Sequence, residues 1–273
     1  MRIYGIENNN QLGLQKKSNT TFKSWVRAVY KPEENGVKKL LYRNDTAFYR
    51  DDMDIIIKYI VERYKNFQKI NFHDYACSNG TETYSYLIEM ICSHGLEAVK
   101  KFLPIMAKDI DDIAIQKAKS NLVQISTMDK EHINFYTHGK FDDFFEKDYR
   151  LYEFDDAQKM DFTKISCDCS NATYKVKPIL TDNVIYKRSN IFDCDNYING
   201  DNNIVSARNF WPYLSEDQKL SLAEKLYNCI GKNSTLIIGS YDIGNLETFP
   251  DTSLILRAKG FLPTESEYIF ITK

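Results

Sequence analysis

Short apolar runs alternate along the chain with longer stretches whose apolar residues have helical spacing. The first strong example begins with an apolar run through Phe72 and Tyr75, which enters a small polar turn at residues 77–80. After the turn, apolar side chains recur at the helical positions Tyr84, Leu87, Ile88 and Ile91. The stretch therefore predicts a strand, a tight turn and a helix. Gly80 lets the backbone pass close to a ligand there, and the first helical amides point into the space above the turn.

The same alternation continues to the end of the chain, with one interruption. Further strands are predicted at residues 103–107, 184–186, 204–207, 235–239 and 268–271, and helices at 53–64, 111–121, 216–227 and 254–259. Strands that alternate with helices predict βαβ units and a mostly parallel sheet. The periodicity fades between residues 125 and 182, where only a short helix near 141–145 and a strand at 173–178 are indicated.

The domain organisation follows from this pattern and from the length of 273 residues, which suits one large domain with a smaller attachment. Residues 1–40 are polar and lysine-rich, with one short amphipathic piece at 22–29 that predicts a helix. We expect a short N-terminal segment over residues 1–65 and a sheet domain over 66–273. The aperiodic region at about 126–182 is interpreted as an insertion in that domain.

Charge and hydropathy exclude several classes of partner. The formal net charge is -2 and the sequence pI is about 6.1, so no basic field favours nucleic acid. No apolar run reaches the roughly 18 residues of a membrane span. The N-terminus also lacks the apolar core of a signal peptide. We therefore expect a cytoplasmic protein that neither inserts into membranes nor binds nucleic acid.

The cysteines indicate no metal site. Six are present, and Cys167 and Cys169 form a C-x-C pair, which is not the usual zinc spacing and has no histidine nearby. We expect ordinary thiols and no metal ion.

Polar residues at the predicted carboxyl ends of the strands are the candidates for ligand binding, because ligands of open α/β sheets bind there. Asp109 closes the second strand and is placed to accept hydrogen bonds from two ribose hydroxyls. It lies 29 residues after Gly80, farther than the roughly 20 typical of a dinucleotide site, and the full G-x-G-x-x-G is absent. The alternative is a helix N-cap, a role that Asp111 fills better.

Five short stretches match, in order along the chain, the motifs of one enzyme family. They are TAFYRD at 46–51, ACSNGTETYS at 76–85, DID at 109–111 with Ala118 beyond it, NIF at 190–192 and RNFWPY at 208–213. The corresponding family motifs are T-x-F-F-R-D/E, A-x-S-x-G-E-E-P-Y-S, D-I-D with A-R-x-G, N-L-L and R-N-V-x-I-Y. Through these motifs the chain resembles the CheR family, the chemotaxis-receptor glutamate methyltransferases of bacteria, which use S-adenosylmethionine.

The resemblance implies a fold, a cofactor and a set of site residues. The fold is the Rossmann-like α/β fold of class I methyltransferases, with a mostly parallel seven-stranded sheet, a short helical N-terminal segment and an inserted subdomain. S-adenosylmethionine is the implied cofactor and S-adenosylhomocysteine the product, without a metal. The implied cofactor-binding residues are Asn44, Thr46, Arg50, Ala76, Ser78, Gly80, Glu82, Asp109, Ile110, Asn190, Ile191, Asn209 and Phe210.

By the same resemblance these residues take separate roles. Asn44, Thr46 and Arg50 close over the cofactor from the N-terminal side, together with the helix that follows them. Glu82 contacts the amino-acid part of the cofactor, and Asp109 holds its ribose. Asn190 and Asn209 line the adenine and methionine side. Arg50 and Tyr213 face the methyl group and the substrate, and are the implied catalytic residues.

The implied reaction is O-methylation of a protein glutamate, with a chemoreceptor cytoplasmic domain as the partner. A glutamate carboxylate is ionised at neutral pH, so the reaction needs alignment rather than a general base.

Departures from the family motifs leave two alternatives open. Thr81 and Thr83 replace the first Glu and the Pro of G-E-E-P-Y-S, and the family's G-H-S-E is here Gly-Ser-Tyr-Asp at 239–242, without histidine. One alternative is a methyltransferase that acts on an amine or another substrate. The other is a non-catalytic, cofactor-binding regulatory protein.

Overall fold

The computed structural model describes residues 27–31, 39–43, 48–49, 53–149, 172–243 and 252–273. Its strands are β1 Arg27–Lys31, β2 Lys39–Arg43, β3 Asn71–Tyr75, β4 Ile105–Asp109, β5 Leu122–Ile125, β6 Phe145–Lys147, β7 Ala172–Val176, β8 Val184–Arg188, β9 Asn203–Ala207, β10 Thr235–Ile237, β11 Leu262–Pro263 and β12 Ile269–Ile271. Its α-helices are α1 Met53–Arg63, α2 Thr81–His94, α3 Leu96–Val99, α4 Asp112–Lys119, α5 Thr127–Tyr136, α6 Phe141–Phe144, α7 Pro178–Thr181, α8 Glu216–Cys229 and α9 Thr252–Ala258. Short 3-10 helices occupy Lys100–Phe102, Ile191–Asn196 and Trp211–Tyr213.

Seven strands form the central sheet in the order β11-β12-β10-β9-β3-β4-β8. The pairs from β10 through β9, β3 and β4 to β8 are parallel, whereas β12 runs antiparallel to both β10 and β11. The chain first builds outward from β3 to β8 and then returns to the other side of β3 with β9. This arrangement confirms the predicted Rossmann-like fold of class I methyltransferases. Its topological switch point lies between β3 and β9, where such sheets bind ligands.

Both faces of the sheet are buried, since successive side chains of each strand point to opposite faces. In β9, Ile204 belongs to the cluster that packs with α1 and α2, while Val205 belongs to the cluster that packs with α8 and α9. Ile269 and Phe270 divide between the two clusters in the same way. Burial on both faces explains why the parallel strands appear in the sequence as continuous apolar runs.

The predicted insertion contributes β6, β7, α5 and α6, and its two strands join β5, which lies just before its predicted start, in a three-stranded antiparallel sheet of order β5-β7-β6. The short helix and the strand predicted at its centre correspond to α6 and β7, but β5 and α5 were not predicted. Only two of the four residues of β5 are buried, and α5 buries Ile133 alone, so neither has a strong apolar pattern. The capping box of Ser126 and Asp129 was the signal that marked the start of α5.

The N-terminal part contains a β-hairpin of β1 and β2, in which Arg27 pairs with Arg43. The predicted helix at 22–29 is wrong in its described part, because residues 27–29 lie in β1. The structure groups Met1–Thr46 into one compact unit and Ala47–Lys273 into another. The division at residue 65 and the boundaries of the insertion stay predictions. No helix in the described part of the chain has the length and apolar character that crossing a membrane requires.

Candidate active site

The turn after β3 forms the first wall of the site. Ala76, Ser78 and Gly80 all have positive φ angles, of 59°, 50° and 88°, so the chain curls tightly before α2 begins. The Cys77 N–H donates to the Lys108 carbonyl at 3.0 Å, and the Gly80 N–H donates to the Cys77 carbonyl at 2.9 Å. The first of these bonds fixes the turn to β4, and the second closes the turn itself. It leads directly into the N-terminus of α2, which carries a partial positive charge.

Position 80 admits only glycine, for two reasons. Its φ of 88° lies in the left-handed region, and a Cβ built there would overlap the hydroxyl of Tyr186. Tyr186 belongs to β8, two strands away from β3, and its buried hydroxyl has no hydrogen-bond partner among the described protein atoms. The turn therefore packs directly on the third strand of this half of the sheet.

Asp109, at the end of β4, holds the neighbouring loops together. Its Oδ2 accepts from the Ser78 N–H at 2.8 Å, and its Oδ1 accepts from the Asp111 N–H at 2.8 Å. Burial raises the pKa of Asp109, and these backbone donors act against that rise. Asp109 is half-buried, and a carboxylate has more lone pairs than two donors occupy. It is thus able to accept from ligand hydroxyls as well.

The helix-cap alternative for Asp109 is wrong. Asp111 caps α4, since its Oδ1 accepts from the Ile113 N–H at 2.9 Å. Asp109 is not the N-cap of α4, and its carboxylate instead connects the loop after β3 with the loop after β4. The ribose-binding role predicted for it stays a prediction.

A second carboxylate organises the opposite side of the switch point. Asp242, after β10, accepts from the backbone N–H groups of Asn209 at 2.6 Å, Gly239 at 2.6 Å and Trp211 at 3.2 Å. Burial raises the pKa of Asp242 to about 7, against the effect of these donors. Sequence reasoning missed this residue. The signal was available, because Asp242 stands where the family motif G-H-S-E has its glutamate.

The backbone conformation and side-chain position of Asn209 depend on this carboxylate and on Gly239 after the adjacent strand. Its φ is 64°, in the left-handed region that Asn tolerates, and a Cβ at Gly239 would overlap its side-chain oxygen. The Nδ2 of Asn209 is buried and has no hydrogen-bond partner among the described protein atoms. A buried amide without a partner is costly unless a ligand accepts its hydrogen bond. Asn209 therefore fits a cofactor with carboxylate, hydroxyl or ring-nitrogen acceptors.

A buried ion pair lies below the site. Arg208 Nη1 is 3.5 Å from Glu82 Oε2, and the two side chains are only 3% and 8% exposed. Burial alone would lower the pKa of Arg208, but the charge of Glu82 raises it, so the guanidinium stays protonated. The structure thus gives Glu82 a protein partner. Its predicted contact with the cofactor's amino-acid part stays a prediction.

Asp74 lies next to this ion pair, in β3. Thr83 Oγ1 donates to its Oδ2 at 2.5 Å, and its Oδ1 has no partner among the described protein atoms. Burial, and after it the charge of Glu82, raises the pKa of Asp74 to about 8. Asp74 is accordingly a neutral acid at pH 7.

The remaining predicted residues follow the ends of neighbouring strands. Asn190, after β8, caps the Ile191–Asn196 helix by accepting from the Phe192 N–H at 3.0 Å. Ile110 is 36% exposed beside Asp109. Partly buried residues at the other strand ends are Ile191, Phe210 and Tyr213. The strands that carry these loops are adjacent in the sheet, so the predicted residues from Ala76 to Tyr213 gather at one edge.

Asn44, Thr46 and Arg50 lie outside the described residues, but Phe48 and Tyr49 just before Arg50 are described and buried. The Tyr49 N–H donates to Ser85 Oγ at 3.1 Å, in α2. Its ring stacks on Tyr136 of α5 with centroids 4.6 Å apart. The chain that leads to Arg50 is therefore anchored both to the sheet domain and to the insertion.

His132 of α5 is a candidate that sequence reasoning left out. Its ring centroid lies 6.1 Å from that of Tyr49 and 4.8 Å from that of Tyr136. Burial lowers the pKa of His132, so the imidazole is neutral at pH 7. No sequence pattern connects His132 with the TAFYRD motif, because His132 lies 82 positions after Arg50. Only the fold brings it next to Tyr49.

The described residues fit an adenosyl cofactor. Gly80 permits close approach of the backbone, Asp109 supplies an acceptor for hydroxyls, and Asn209 supplies a donor without a partner. Among the residues that the structure describes, no three His, Cys, Asp or Glu side chains are arranged to hold a metal ion.

Comparison with known proteins points to one family. The model of the family described as "CheR methyltransferase, SAM binding domain" matches residues 44–167 and 162–251, which is more than half of the chain.

Solved structures with a similar fold were also found. The plantazolicin methyltransferase BamL, solved with a desmethylPZN analog and SAH, shows 12% identity over 68% of this chain and 44% of its own, with a TM-score of 0.35. The methyltransferase domain of bacterial CtHen1-C shows 11% identity over 68% and 64%, with a TM-score of 0.33. Magnesium protoporphyrin IX methyltransferase of Synechocystis, with bound SAM, shows 10% identity over 80% and 76%, with a TM-score of 0.39. The chain spans less than two thirds of the length of the first two structures.

Proposed function

The chain belongs to the CheR family of methyltransferases, and from that premise we propose that it methylates a glutamate carboxylate of a protein. S-adenosylmethionine supplies the methyl group, which is already activated on a sulfonium sulfur. A carboxylate acceptor is ionised at neutral pH because its pKa is about 4.3. The protein then needs to align the acceptor, and alignment contributes roughly 7–11 kcal/mol in favourable cases.

The observation that carries the proposal is the set of side chains at the carboxyl edge of the sheet. Residues 76–80, 109–111, 189–192, 208–213 and 239–242 follow the five central strands, and none of these described residues is a His or a Lys. Lys108 is close in sequence, but its Nζ is buried against His73 Nδ1 at 2.9 Å and the Tyr75 hydroxyl at 3.2 Å. The one basic side chain at these positions, Arg208, stays protonated beside Glu82 and cannot take a proton. A site with no His or Lys at these positions suits an acceptor that has no proton to lose.

Each wall of the site has a task in this proposal. Asp109 accepts from the ribose hydroxyls, and the Asn209 amide donates to an acceptor of the cofactor. Asp242 holds Asn209 in its left-handed conformation through backbone bonds. In this proposal Tyr213, of the Trp211–Tyr213 3-10 helix, donates its hydroxyl to the acceptor carboxylate, and Arg50 pairs with the same charge.

Alkali treatment of the labelled product tests the proposal. The protein is incubated with methyl-labelled S-adenosylmethionine and an acceptor protein, and the product is then exposed to mild base. A carboxyl ester hydrolyses and releases volatile methanol, so we expect the label to become volatile. Label that remains on the acceptor would contradict O-methylation of a carboxylate. Binding of S-adenosylhomocysteine without any labelled product would instead support a non-catalytic, cofactor-binding protein.

His132 favours a second candidate, methylation of an amine. An ammonium must lose a proton before it accepts a methyl group, and a neutral imidazole is able to take that proton. His132 is neutral and packs against Tyr49, the residue before Arg50. In this case the label survives alkali, and His132→Asn lowers the rate most at a pH near neutrality. Under the carboxylate proposal the same variant keeps its rate.

The acceptor and its location complete the proposal. We assign a chemoreceptor cytoplasmic domain as the protein substrate and the cytoplasm as the place of action, on the support of the family alone. A purified receptor fragment and a variant with its exposed glutamates changed to glutamine provide the test. Label on the first and not on the second is expected, and equal label on both would exclude receptor glutamates as acceptors.

A further inference from the structure

Two cysteines face each other on the side of the sheet covered by α8. Cys194 lies in the Ile191–Asn196 helix and is fully buried, while Cys229 is the last residue of α8 and is half-buried. They are 35 residues apart in sequence, and the Cys229 S–H donates to Cys194 Sγ across 3.3 Å. From this juxtaposition we propose that Cys194 and Cys229 are a redox modification site, which forms a reversible internal disulfide by exchange with small external disulfides.

The two helices that carry the sulfurs are held together by side-chain contacts. Lys225, one turn before Cys229 in α8, donates to the Phe192 carbonyl at 2.5 Å and lies 3.3 Å from Asp195. These bonds join α8 to the Ile191–Asn196 helix on either side of Cys194 in sequence. The sulfurs are 3.3 Å apart and must approach to about 2.05 Å for a disulfide to form.

The two thiols differ in reactivity and in access. The hydrogen bond from Cys229 lowers the pKa of Cys194, and the charge of Lys225 adds to that effect. Cys194 is therefore the better thiolate, whereas Cys229 is the thiol that solvent reaches. This division suits a pair in which the exposed sulfur meets the external disulfide and the buried sulfur completes the exchange.

The exchange balances in two displacements. Cys194, as the thiolate, takes the proton of Cys229, and the resulting Cys229 thiolate attacks one external sulfur. This forms a mixed disulfide, breaks the external S–S bond and releases one thiolate, which takes that proton back from Cys194. Cys194 then attacks Cys229 Sγ, which forms the internal disulfide and expels the second external thiolate. The two cysteines are oxidised and the two external sulfurs are reduced. One released thiolate carries the proton of Cys229, and the other takes from solvent the proton that Cys194 had lost.

The disulfide ties a segment of the site to the body of the domain. The Ile191–Asn196 helix is capped by Asn190, a predicted cofactor-binding residue, and oxidation would anchor that helix covalently to α8. Closing a loop of this length restricts the unfolded chain, so the melting temperature of the oxidised protein should rise by about 5 °C.

Mass spectrometry after treatment with oxidised glutathione tests the site. The reduced full chain is treated at neutral pH, and its intact mass and cross-linked peptides are recorded. We expect loss of two hydrogen atoms and a cross-link between the peptides of Cys194 and Cys229, both reversed by reductant. The same cross-link is expected in a Cys167→Ser/Cys169→Ser background, which removes the C-x-C pair, and in Cys92→Ser, which removes another half-buried thiol.

Single replacements make the test sharper, because they separate the two sulfurs. Cys194→Ser should accumulate a stable glutathione adduct on Cys229, since the resolving thiolate is gone. Cys229→Ser should leave Cys194 unmodified because that thiol is buried. A stable adduct on Cys229 in the wild-type chain, or a cross-link that maps elsewhere, would overturn the proposal.

Discussion

Asp109 and Asp242 both accept hydrogen bonds from backbone N–H groups, on opposite sides of the switch point. They differ in the capacity that each carboxylate retains to accept hydrogen bonds from a ligand. Each carboxylate closes the loops of two neighbouring strand ends by accepting backbone N–H groups. Asp109 accepts two and is half-buried, whereas Asp242 accepts three and is 1% exposed. The first carboxylate retains acceptor capacity at the surface of the site. The second is used entirely to hold the backbone around Asn209.

The comparison shows that residue type and position at a strand end do not determine a role by themselves. The number of backbone donors and the exposure of the carboxylate separate a ligand-binding acid from a positioning acid. The following predictions test that distinction, beginning with the largest effect.

Replacement of Asp242 by alanine should cost the most stability. Three buried N–H groups lose their acceptor, and each unsatisfied buried donor costs about 1–3 kcal/mol, so we expect a loss of at least about 3 kcal/mol. Urea unfolding measures the loss. Asp242→Asn keeps one acceptor oxygen and should lose less. A loss under about 1 kcal/mol for the alanine variant would show that the loops hold their conformation without this carboxylate.

Replacement of Asp109 by alanine should cost affinity in addition to the stability that is lost when two backbone N–H groups lose their acceptor. The lost charge-assisted hydrogen bonds predict a decrease of about 2 kcal/mol in the binding free energy of S-adenosylhomocysteine, or roughly thirtyfold in affinity. Calorimetry of binding, with melting curves of the same samples, separates the two effects.

Asp111→Ala is the matched control for that experiment. It removes the cap of α4, so we expect a loss of about 1 kcal/mol in stability and unchanged affinity. If both variants behaved alike, the distinction between a binding and a structural carboxylate on this side would be wrong.

Asp74 extends the comparison to a carboxyl that receives only a side-chain donor and is neutral at pH 7. Its folded pKa of about 8 lies above the unfolded value of about 3.9, so the folded state holds an extra proton between these pH values. Its contribution is complete at low pH and is lost as the pH rises toward 8. The slope should be about 1 kcal/mol per pH unit between pH 5 and 7.

The difference in unfolding free energy between the wild type and Asp74→Asn isolates this contribution. The amide does not titrate, so the wild type should lose stability relative to the variant as the pH rises. A difference that is constant from pH 5 to 8 would mean that Asp74 is ionised in the folded protein.

The contact between Gly80 and Tyr186 predicts the smallest effect, a coupling free energy. Gly80→Ala is destabilising because of its φ angle and because its Cβ overlaps the Tyr186 hydroxyl. Tyr186→Phe removes that hydroxyl, so the double variant should recover about 1 kcal/mol relative to the sum of the single losses. Thermal unfolding of all four proteins completes the cycle. If the losses of the two single variants were strictly additive, the whole destabilisation by Gly80→Ala would come from the φ angle at position 80.

Elements with strong local patterns could be predicted from the sequence. The strand, turn and helix around Gly80 and the alternation of the remaining strands followed from apolar spacing, since the central strands are buried on both faces. The cap role of Asp111 followed from its place before the helix. The cofactor class came from motifs in register rather than from any single residue.

Features that depend on distant parts of the chain could not be predicted in the same way. The three-stranded sheet of the insertion pairs β5 with β7 across about 50 residues, and its short strands bury few side chains. The roles of Asp242 and His132 depend on loops and helices that meet only in the fold. The ion pair of Arg208 with Glu82 joins two motifs that were each predicted to contribute residues to the cofactor site.

The attachment of Tyr49 to Ser85 and Tyr136 has a consequence for how binding events communicate. The insertion and the chain before Arg50 share three aromatic contacts, of Phe48 with Phe145 and of Tyr49 with His132 and Tyr136. A partner that docked on the insertion and displaced α5 would therefore also shift the residue that precedes Arg50. Thermodynamic linkage makes any such effect reciprocal. If the docked partner tightens the hold on the cofactor by a given factor, the cofactor tightens the hold on the partner by the same factor.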